Sequence, residues 1–117
     1  MAVTIIGGAV SASSALTTNA QTGTTYTLVL TDANNTMVEL NNASPIALTV
    51  PLNSSVAFPV GSQINLLQTG AGQVTIAGAS GVTVNGTPGL KFRAQWSGAS
   101  LIKRSTDGWV LVGDVSV

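Results

Sequence analysis

The 117-residue chain has no cysteine and no histidine, and only 7% of its residues are charged. Without cysteine it can form neither disulfides nor thiolate metal sites, so packing alone must stabilise the fold. Its carboxylates are Asp32, Glu39, Asp107 and Asp114. Serine and threonine are plentiful, but only Lys91 or Lys103 could activate one as a nucleophile, and both lie in strand-like runs. The composition predicts a protein that is not an enzyme and that uses no cofactor and no metal.

The low fraction of charged residues also predicts which partners the chain binds. An ordinary soluble domain is roughly 25% charged, so a free monomer of this chain would have little charge to keep it soluble. We therefore predict a homotrimer or larger assembly; the alternative is a small neutral β domain rich in Thr and Asn. The net charge is zero, which predicts neither a nucleic-acid nor a membrane partner. Strand alternation predicts that the basic residues face solvent; they are Lys91, Arg93, Lys103 and Arg104.

Long apolar runs are missing too, and none approaches the roughly 20 residues that span a bilayer. The first ten residues resemble a signal peptide, but no basic residue precedes the apolar run and Gly7-Gly8 interrupts it, so we expect no cleaved signal. Residues 1–24 are mostly small, and we predict an extended N-terminal arm that docks on a partner. Its predicted partner-binding residues are Val3, Ile5, Ile6 and Val10. The alternative is that Val3 to Ile6 forms the first strand of the domain.

Residues 25–117 read as a β domain of short strands cut by Pro and Gly. Thr36 to Leu40 and Ile46 to Val50 alternate with period two, and Leu90 to Trp96 alternates most cleanly. The turn Ser105 to Gly108 predicts a C-terminal hairpin, with glycine supplying a positive φ. We predict an all-β fold, an antiparallel β-sandwich or barrel. The predicted core residues are Tyr26, Leu28, Phe58, Ile64, Phe92, Trp96, Trp109 and Leu111.

One short internal echo is present. The run from Val74 to Gly78 recurs as the run from Val82 to Gly86. Two copies predict a pair of neighbouring strands rather than a solenoid, which needs three or more repeats.

Two small motifs invite a functional interpretation. Asp32 with Asn34 and Asn35 could hold calcium, but the same residue types favour a turn. The glycines of Gly70-Ala71-Gly72 begin like a dinucleotide fingerprint, yet no helix pattern follows, which favours a turn.

Trp96 and Trp109 could stack on a sugar. Their positions within apolar strand patterns favour core roles instead.

Three stretches carry a resemblance. They read TVPLNSSVAFPVGSQIN from Thr49, QTGAGQVTI from Gln68 and LIKRSTDGWVLVGD from Leu101. Together they resemble a β domain of tailed-bacteriophage virion proteins, found at the ends of tail-fibre and head-decoration proteins, over residues 22 to 115. The resemblance implies a structural role on the virion surface, commonly as a trimer, and supplies no catalytic residues.

A tail fibre usually places a long shaft before such a module, whereas about two dozen residues precede it here. We therefore expect a capsid decoration (cement) protein that binds the major capsid protein on the outer surface of the head and stabilises it. Its expected location is the virion, assembled in the bacterial cytoplasm. The alternative is a tail-fibre or receptor-binding module that recognises a host surface glycan. A polysaccharide-active enzyme is disfavoured by the missing acid and base groups.

Overall fold

The structure, a computed structural model, describes residues 4–6, 9–11 and 15–117 of the chain, and these ranges are almost entirely β. A 3₁₀ helix occupies Leu30–Ala33. The strands are β1 (Thr4–Ile6), β2 (Ala9–Ser11), β3 (Thr17–Gln21), β4 (Thr25–Thr27), β5 (Thr36–Leu40), β6 (Ile46–Val50), β7 (Gln63–Gln68), β8 (Val74–Gly78), β9 (Thr83–Gly86), β10 (Lys91–Phe92), β11 (Gly98–Ser105), β12 (Gly108–Gly113) and β13 (Val115–Ser116).

Successive strands from β3 to β8 alternate between two sheets. Strands β3, β5 and β7 lie side by side in parallel in a six-stranded sheet, and β4, β6 and β8 do the same in a five-stranded sheet. Each pair, β3 with β4, β5 with β6 and β7 with β8, therefore makes one coil that stacks on the next. The arrangement is solenoid-like.

The corners of the coils stack as well as the strands. The Asn41 N–H donates to the Gln21 carbonyl at 2.9 Å, and the Thr69 N–H donates to the Leu40 carbonyl at 2.9 Å. The Gly72 N–H donates in turn to the carbonyl of Asn42 at 2.8 Å. These bonds satisfy backbone groups that the sheet ladders leave open at the corners.

Antiparallel pairing closes the C-terminal end of the stack. Strands β11 and β12 form a hairpin beside β7, and β9 adds to β12 in parallel, giving the sheet order β3-β5-β7-β11-β12-β9. In the other sheet β10 lies between β8 and β13, so that the order is β13-β10-β8-β6-β4. Strands β1 and β2 pair with each other in a separate hairpin.

The core lies between the two sheets and consists of the inward side chains of every coil. Val38 and Leu40 in β5, and Leu48 in β6, have no exposed surface. Six of the predicted core residues are buried. They are Leu28, Phe58, Ile64, Phe92, Trp109 and Leu111. Tyr26 is partly buried and packs against them.

Several predictions about the fold need correction. The strands were predicted to be antiparallel, but all four pairs among the coils are parallel, because each strand returns to its own sheet only after a passage through the other. The echoed segments do not form neighbouring strands, since β8 and β9 belong to different sheets. The predicted strand from Leu90 to Trp96 is only two residues long, and the chain turns after Phe92.

The predicted boundary between the N-terminal arm and the β domain also needs correction. Residues 17–21 form β3 and pair with β5, which makes them part of the β body and not of an arm. The C-terminal hairpin is present as predicted, but Gly108 does not have a positive φ. Within residues 15–117 the positive-φ residues are Asn35, Gly61, Gly81, Trp96 and Gly113.

Candidate binding site

The sequence pattern predicted the wrong direction for the Trp96 side chain. Its side chain is 66% exposed, whereas period-two alternation predicted an inward position. The chain leaves β10 after Phe92 and makes a tight turn before β11, so the pattern on which the prediction rested ends with that strand. We call residues Arg93 to Ser97 the Trp96 turn.

The backbone at Trp96 has φ 72°, in the left-handed region. A side chain with a β-carbon is disfavoured there by roughly 1 to 2 kcal/mol, and bulky residues at positive φ are outliers. Such a conformation persists only where the surroundings impose it. The Trp96 turn is therefore held by contacts outside itself.

Those contacts come from the adjacent strand β7 and its corner. The Trp96 N–H donates to the Gln68 carbonyl at 2.7 Å, and the Gln68 N–H donates to the Ser97 carbonyl at 3.0 Å. The buried Gln68 side chain in turn donates to Gly70 O at 3.1 Å and accepts from the Val74 N–H at 3.0 Å. Gln68 thus links the Trp96 turn, through its backbone, to the Gly70–Gly72 corner, through its side chain. This corner is the turn that the sequence predicted.

Asp114 fixes the other side of the Trp96 turn. Its carboxylate accepts from Arg93 Nε at 2.8 Å and Nη2 at 2.9 Å, and from the Ser97 hydroxyl at 2.8 Å. The bonds from Arg93 first, and from Ser97 next, hold the pKa of Asp114 below its usual value. Ser97 Oγ also accepts from the Ala94 N–H at 3.0 Å. The charge of Arg93 is consequently neutralised within the turn.

Trp109, the second tryptophan, is a core residue as predicted, at 2% exposure. Its ring meets Phe58 edge to face, with centroids 5.4 Å apart. Lys103 Nζ lies 5.9 Å from the Trp109 ring centroid and donates to Asn53 Oδ1 and Phe58 O, each at 2.7 Å. Lys103 is 2% exposed, so its predicted solvent-facing position is wrong. Its amine reaches the loop between β6 and β7, which supplies both acceptors.

Asp32 is buried, and no cation pairs with it among the described residues. It accepts from Asn19 Nδ2 at 2.8 Å, from the Tyr26 hydroxyl at 2.7 Å and from the Val29 N–H at 3.0 Å. Burial, followed by the bond to Asp32, raises the pKa of Tyr26 to about 12. These donors occupy both carboxylate oxygens, which supports the turn interpretation of this segment over a calcium site. Three separate elements, β3, β4 and the 3₁₀ helix, meet at this carboxylate.

The outward side of the six-stranded sheet carries several apolar side chains. Val112 is 56% exposed, and the others are half-buried. They are Met37, Leu67, Ile102, Val110 and Val112, which we call the apolar face. Leu16, just before β3, borders a shallow groove of about 430 Å³ on this surface. The parallel and antiparallel registers of β5, β7, β11 and β12 bring these residues to one side, together with the polar residues Glu39, Gln63, Asn65 and Ser100.

The predicted arm residues are described only in part. Ile5 and Ile6 belong to β1 and Val10 to β2, while Val3 lies outside the described residues. In the described part of the chain there is no group of three acidic, histidine or cysteine residues placed to hold a metal. No helix among the described residues is long and apolar enough to cross a membrane.

Comparisons with family models, curated proteins and solved structures found no match to this chain. Function is therefore inferred from the chemistry of its own residues.

Proposed function

We propose that the protein is a structural component of a tailed-phage virion, a capsid decoration protein that acts as a homotrimer on the outer surface of the head. The observation that carries this proposal is the apolar face on a chain with only 7% charged residues. Exposed apolar side chains gathered on one side of a sheet often mark an interaction site. The polar residues among them, Gln63, Asn65 and Ser100, hydrogen-bond to one another. The resemblance of residues 22 to 115 to phage virion modules supplies the virion context.

Association through the apolar face would bury side chains that water now contacts, and the driving force would grow with the apolar area removed from water. Three copies around one axis would also present three N-terminal segments to the capsid. Linked weak contacts of this kind gain affinity through effective concentration. The partner on the head is the major capsid protein.

Val112→Asp tests the oligomer, because a charge buried in an apolar contact is costly. Val60→Asp is the matched control, since Val60 is 64% exposed but lies in the loop between β6 and β7. In light scattering we expect the unchanged protein and the control to have a trimer mass and Val112→Asp a monomer mass. Val112→Asp should keep its β circular dichroism but melt at a lower temperature than the control, because a monomer lacks the stabilisation that association gives the folded state. A monomer mass for the unchanged protein at micromolar concentration would contradict the homotrimer.

Decoration itself is tested with heads that lack the protein. Added recombinant protein should bind and raise the temperature at which the heads break open. A decoration protein should saturate at hundreds of copies per head, whereas a tail fibre is present in a few dozen at most, because the two follow different symmetries. Failure to bind such heads would remove the decoration proposal.

The second candidate is a tail-fibre or receptor-binding module that recognises a host surface glycan. The exposed indole of Trp96 favours it, because exposed aromatic rings combine a large apolar face with little conformational entropy to lose on binding. Binding of the labelled protein to host cells, together with a low copy number per virion, would support this candidate over decoration.

A further inference from the structure

We propose that Trp96 is a stacking platform for a neutral saccharide, with Gln95 beside it as a hydrogen-bonding group. The inference rests on the second candidate function, glycan recognition, and assigns it a site and a ligand class. It requires no part of the apolar face.

The first support is the backbone strain at Trp96, a residue whose indole is exposed. A tryptophan at positive φ is strained, and glycine would occupy the same backbone position without penalty. Strained residues concentrate at binding and catalytic sites, where the surrounding structure enforces them. Packing does not account for Trp96, because two thirds of its surface is in contact with water.

The second support is rigidity. The Trp96 turn is bonded to β7 through Gln68 and to the C-terminal segment through Asp114. Gln95 Nε2 additionally donates to the Thr69 carbonyl at 3.0 Å. A backbone that is already ordered loses little entropy when its side chain binds a ligand, so a weak stacking contact becomes useful.

The chemistry of the surroundings selects the ligand. The face of an indole ring is electron-rich, and the axial C–H bonds of a pyranose present their positive hydrogens to such a face. In the described part of the chain the side-chain amide oxygen of Gln95, Oε1, accepts no hydrogen bond, so it is open to a sugar hydroxyl. Arg93 is neutralised by Asp114, which leaves no free cation in the turn for an anionic sugar.

Two other ligands fit less well. Stacking of nucleic-acid bases is normally combined with a positively charged groove that follows the backbone, and this chain has a net charge of zero. A tryptophan that anchors a protein partner normally sits within a well-packed apolar centre. The surroundings of Trp96 are polar instead. They include Arg93 and Gln95 in the turn and Asp114, which bonds to it.

The test is calorimetry and tryptophan fluorescence with maltohexaose, cellohexaose, mannohexaose and chitohexaose, with hyaluronan as an anionic probe. At least one neutral oligosaccharide should bind the unchanged protein with a millimolar or lower dissociation constant and shift its fluorescence. Trp96→Gly should weaken that binding at least tenfold, and Trp96→Tyr should keep it within a few-fold. Trp109 remains in both variants and reports on the fold.

Trp96→Gly should melt at the same or a higher temperature than the unchanged protein, because it removes strain and little packing. Absence of binding to all four neutral sugars, or unchanged binding by Trp96→Gly, would overturn the inference. A clearly lower melting temperature of Trp96→Gly would also overturn it, since the indole would then be structural.

Other outcomes distinguish sugar stacking on Trp96 from glycan recognition in general and from capsid decoration. Binding of hyaluronan alone would overturn the neutral-sugar assignment but leave glycan recognition standing. Loss of head binding by Trp96→Gly without any sugar binding would assign the indole to a protein contact, and that too would overturn the inference.

Discussion

Lys103 illustrates how this fold accommodates a cation in its interior. Removing an amine from water is costly unless hydrogen bonds and nearby electron density replace the lost hydration. Here Asn53 Oδ1, Phe58 O and the ring of Trp109 provide that replacement. Asn53 is positioned in turn because its N–H donates to Asp107 Oδ1 at 2.8 Å. The loop between β6 and β7 is thereby attached to the C-terminal hairpin.

Lys103→Met should lower the free energy of unfolding by about 1 to 3 kcal/mol, because a buried acceptor, Phe58 O, and a partly buried one, Asn53 Oδ1, lose their donor while the side-chain volume is kept. Lys91→Met is the matched control, since Lys91 is exposed in β10, and it should change stability by less than about 0.5 kcal/mol. Urea denaturation of both variants measures the difference. Equal stability of the two variants would mean that the hydrogen bonds of Lys103 make no net contribution to the free energy of unfolding.

Tyr26 should make the fold sensitive to alkaline pH. Its pKa is raised in the folded state, from 10.0 to about 12, so the folded protein holds a proton that the unfolded chain releases first. The resulting stabilisation is complete below pH 10 and is lost as the pH rises to about 12.

Tyr26 is the chain's single tyrosine, so its phenolate absorbance follows this one group. Tyr26→Phe should be less stable at neutral pH, because the bond to Asp32 is lost, and its stability should fall less above pH 10. An ordinary pKa for Tyr26 in the absorbance titration would contradict the proposed environment.

At the residue scale, the sequence predicted most of the core but placed Trp96 and Lys103 wrongly, for different reasons. The alternation that placed Trp96 inward is valid only while the chain stays extended. Alternation does continue through Lys103, since Ala99 and Leu101 are buried on the same side of β11, and the error there was to expect a basic residue on the solvent side. Trp96 follows the end of a strand. Lys103 occupies an inward position where loop carbonyls happen to lie at the length of a lysine side chain, and nothing local in the sequence indicates that distance.

At the scale of elements, close stacking of the corners depends on glycine. A β-carbon at Gly72 would overlap the Ser44 carbonyl and lie 2.6 Å from the carbonyl oxygen of Asn42. Gly72→Ala should therefore cost about 1 to 3 kcal/mol or more, since the two corners must separate. Gly23→Ala is the control, because its nearest contact would be 3.5 Å, and it should be nearly neutral.

Thermal and urea denaturation of the two glycine variants give the comparison. A Gly72→Ala protein as stable as Gly23→Ala would show that the Asn42 to Ser44 corner moves aside at little cost.

Element boundaries were predictable where prolines and turns bracket an alternating run. Strands β5 and β6 have the predicted limits, Thr36–Leu40 and Ile46–Val50. Their parallel pairing was not predictable, because the alternation of a strand says which side is buried and nothing about its neighbour. The repeat that would have indicated stacking is also irregular: paired residues are 19 positions apart between β3 and β5 but 28 apart between β5 and β7.

At the scale of the whole molecule, two truncations separate the N-terminal hairpin from the body. Deleting residues 1–14 removes β1 and β2, which pair only with each other among the described strands. We expect this protein to keep its melting temperature but to bind undecorated heads much more weakly. The expected loss of binding follows from the proposed docking role of this segment.

Deleting residues 1–22 removes β3 as well, with the two bonds that Asn19 makes to Tyr26 and Asp32. That protein should melt at a lower temperature. If the shorter truncation lowers the melting temperature equally, the hairpin belongs to the body; if it still decorates heads normally, the docking role is refuted.

The solenoid-like stack also constrains the order in which the chain can fold. Strands β11 and β12 are joined by a two-residue turn and can pair early, whereas each coil must close a loop of 19 to 28 residues before its parallel strands meet. We expect the C-terminal hairpin to form first, with coils added toward the N-terminus. Strand β3, paired on one side only, would then join last, and its amide hydrogens should exchange with solvent ahead of those in β7 and β11.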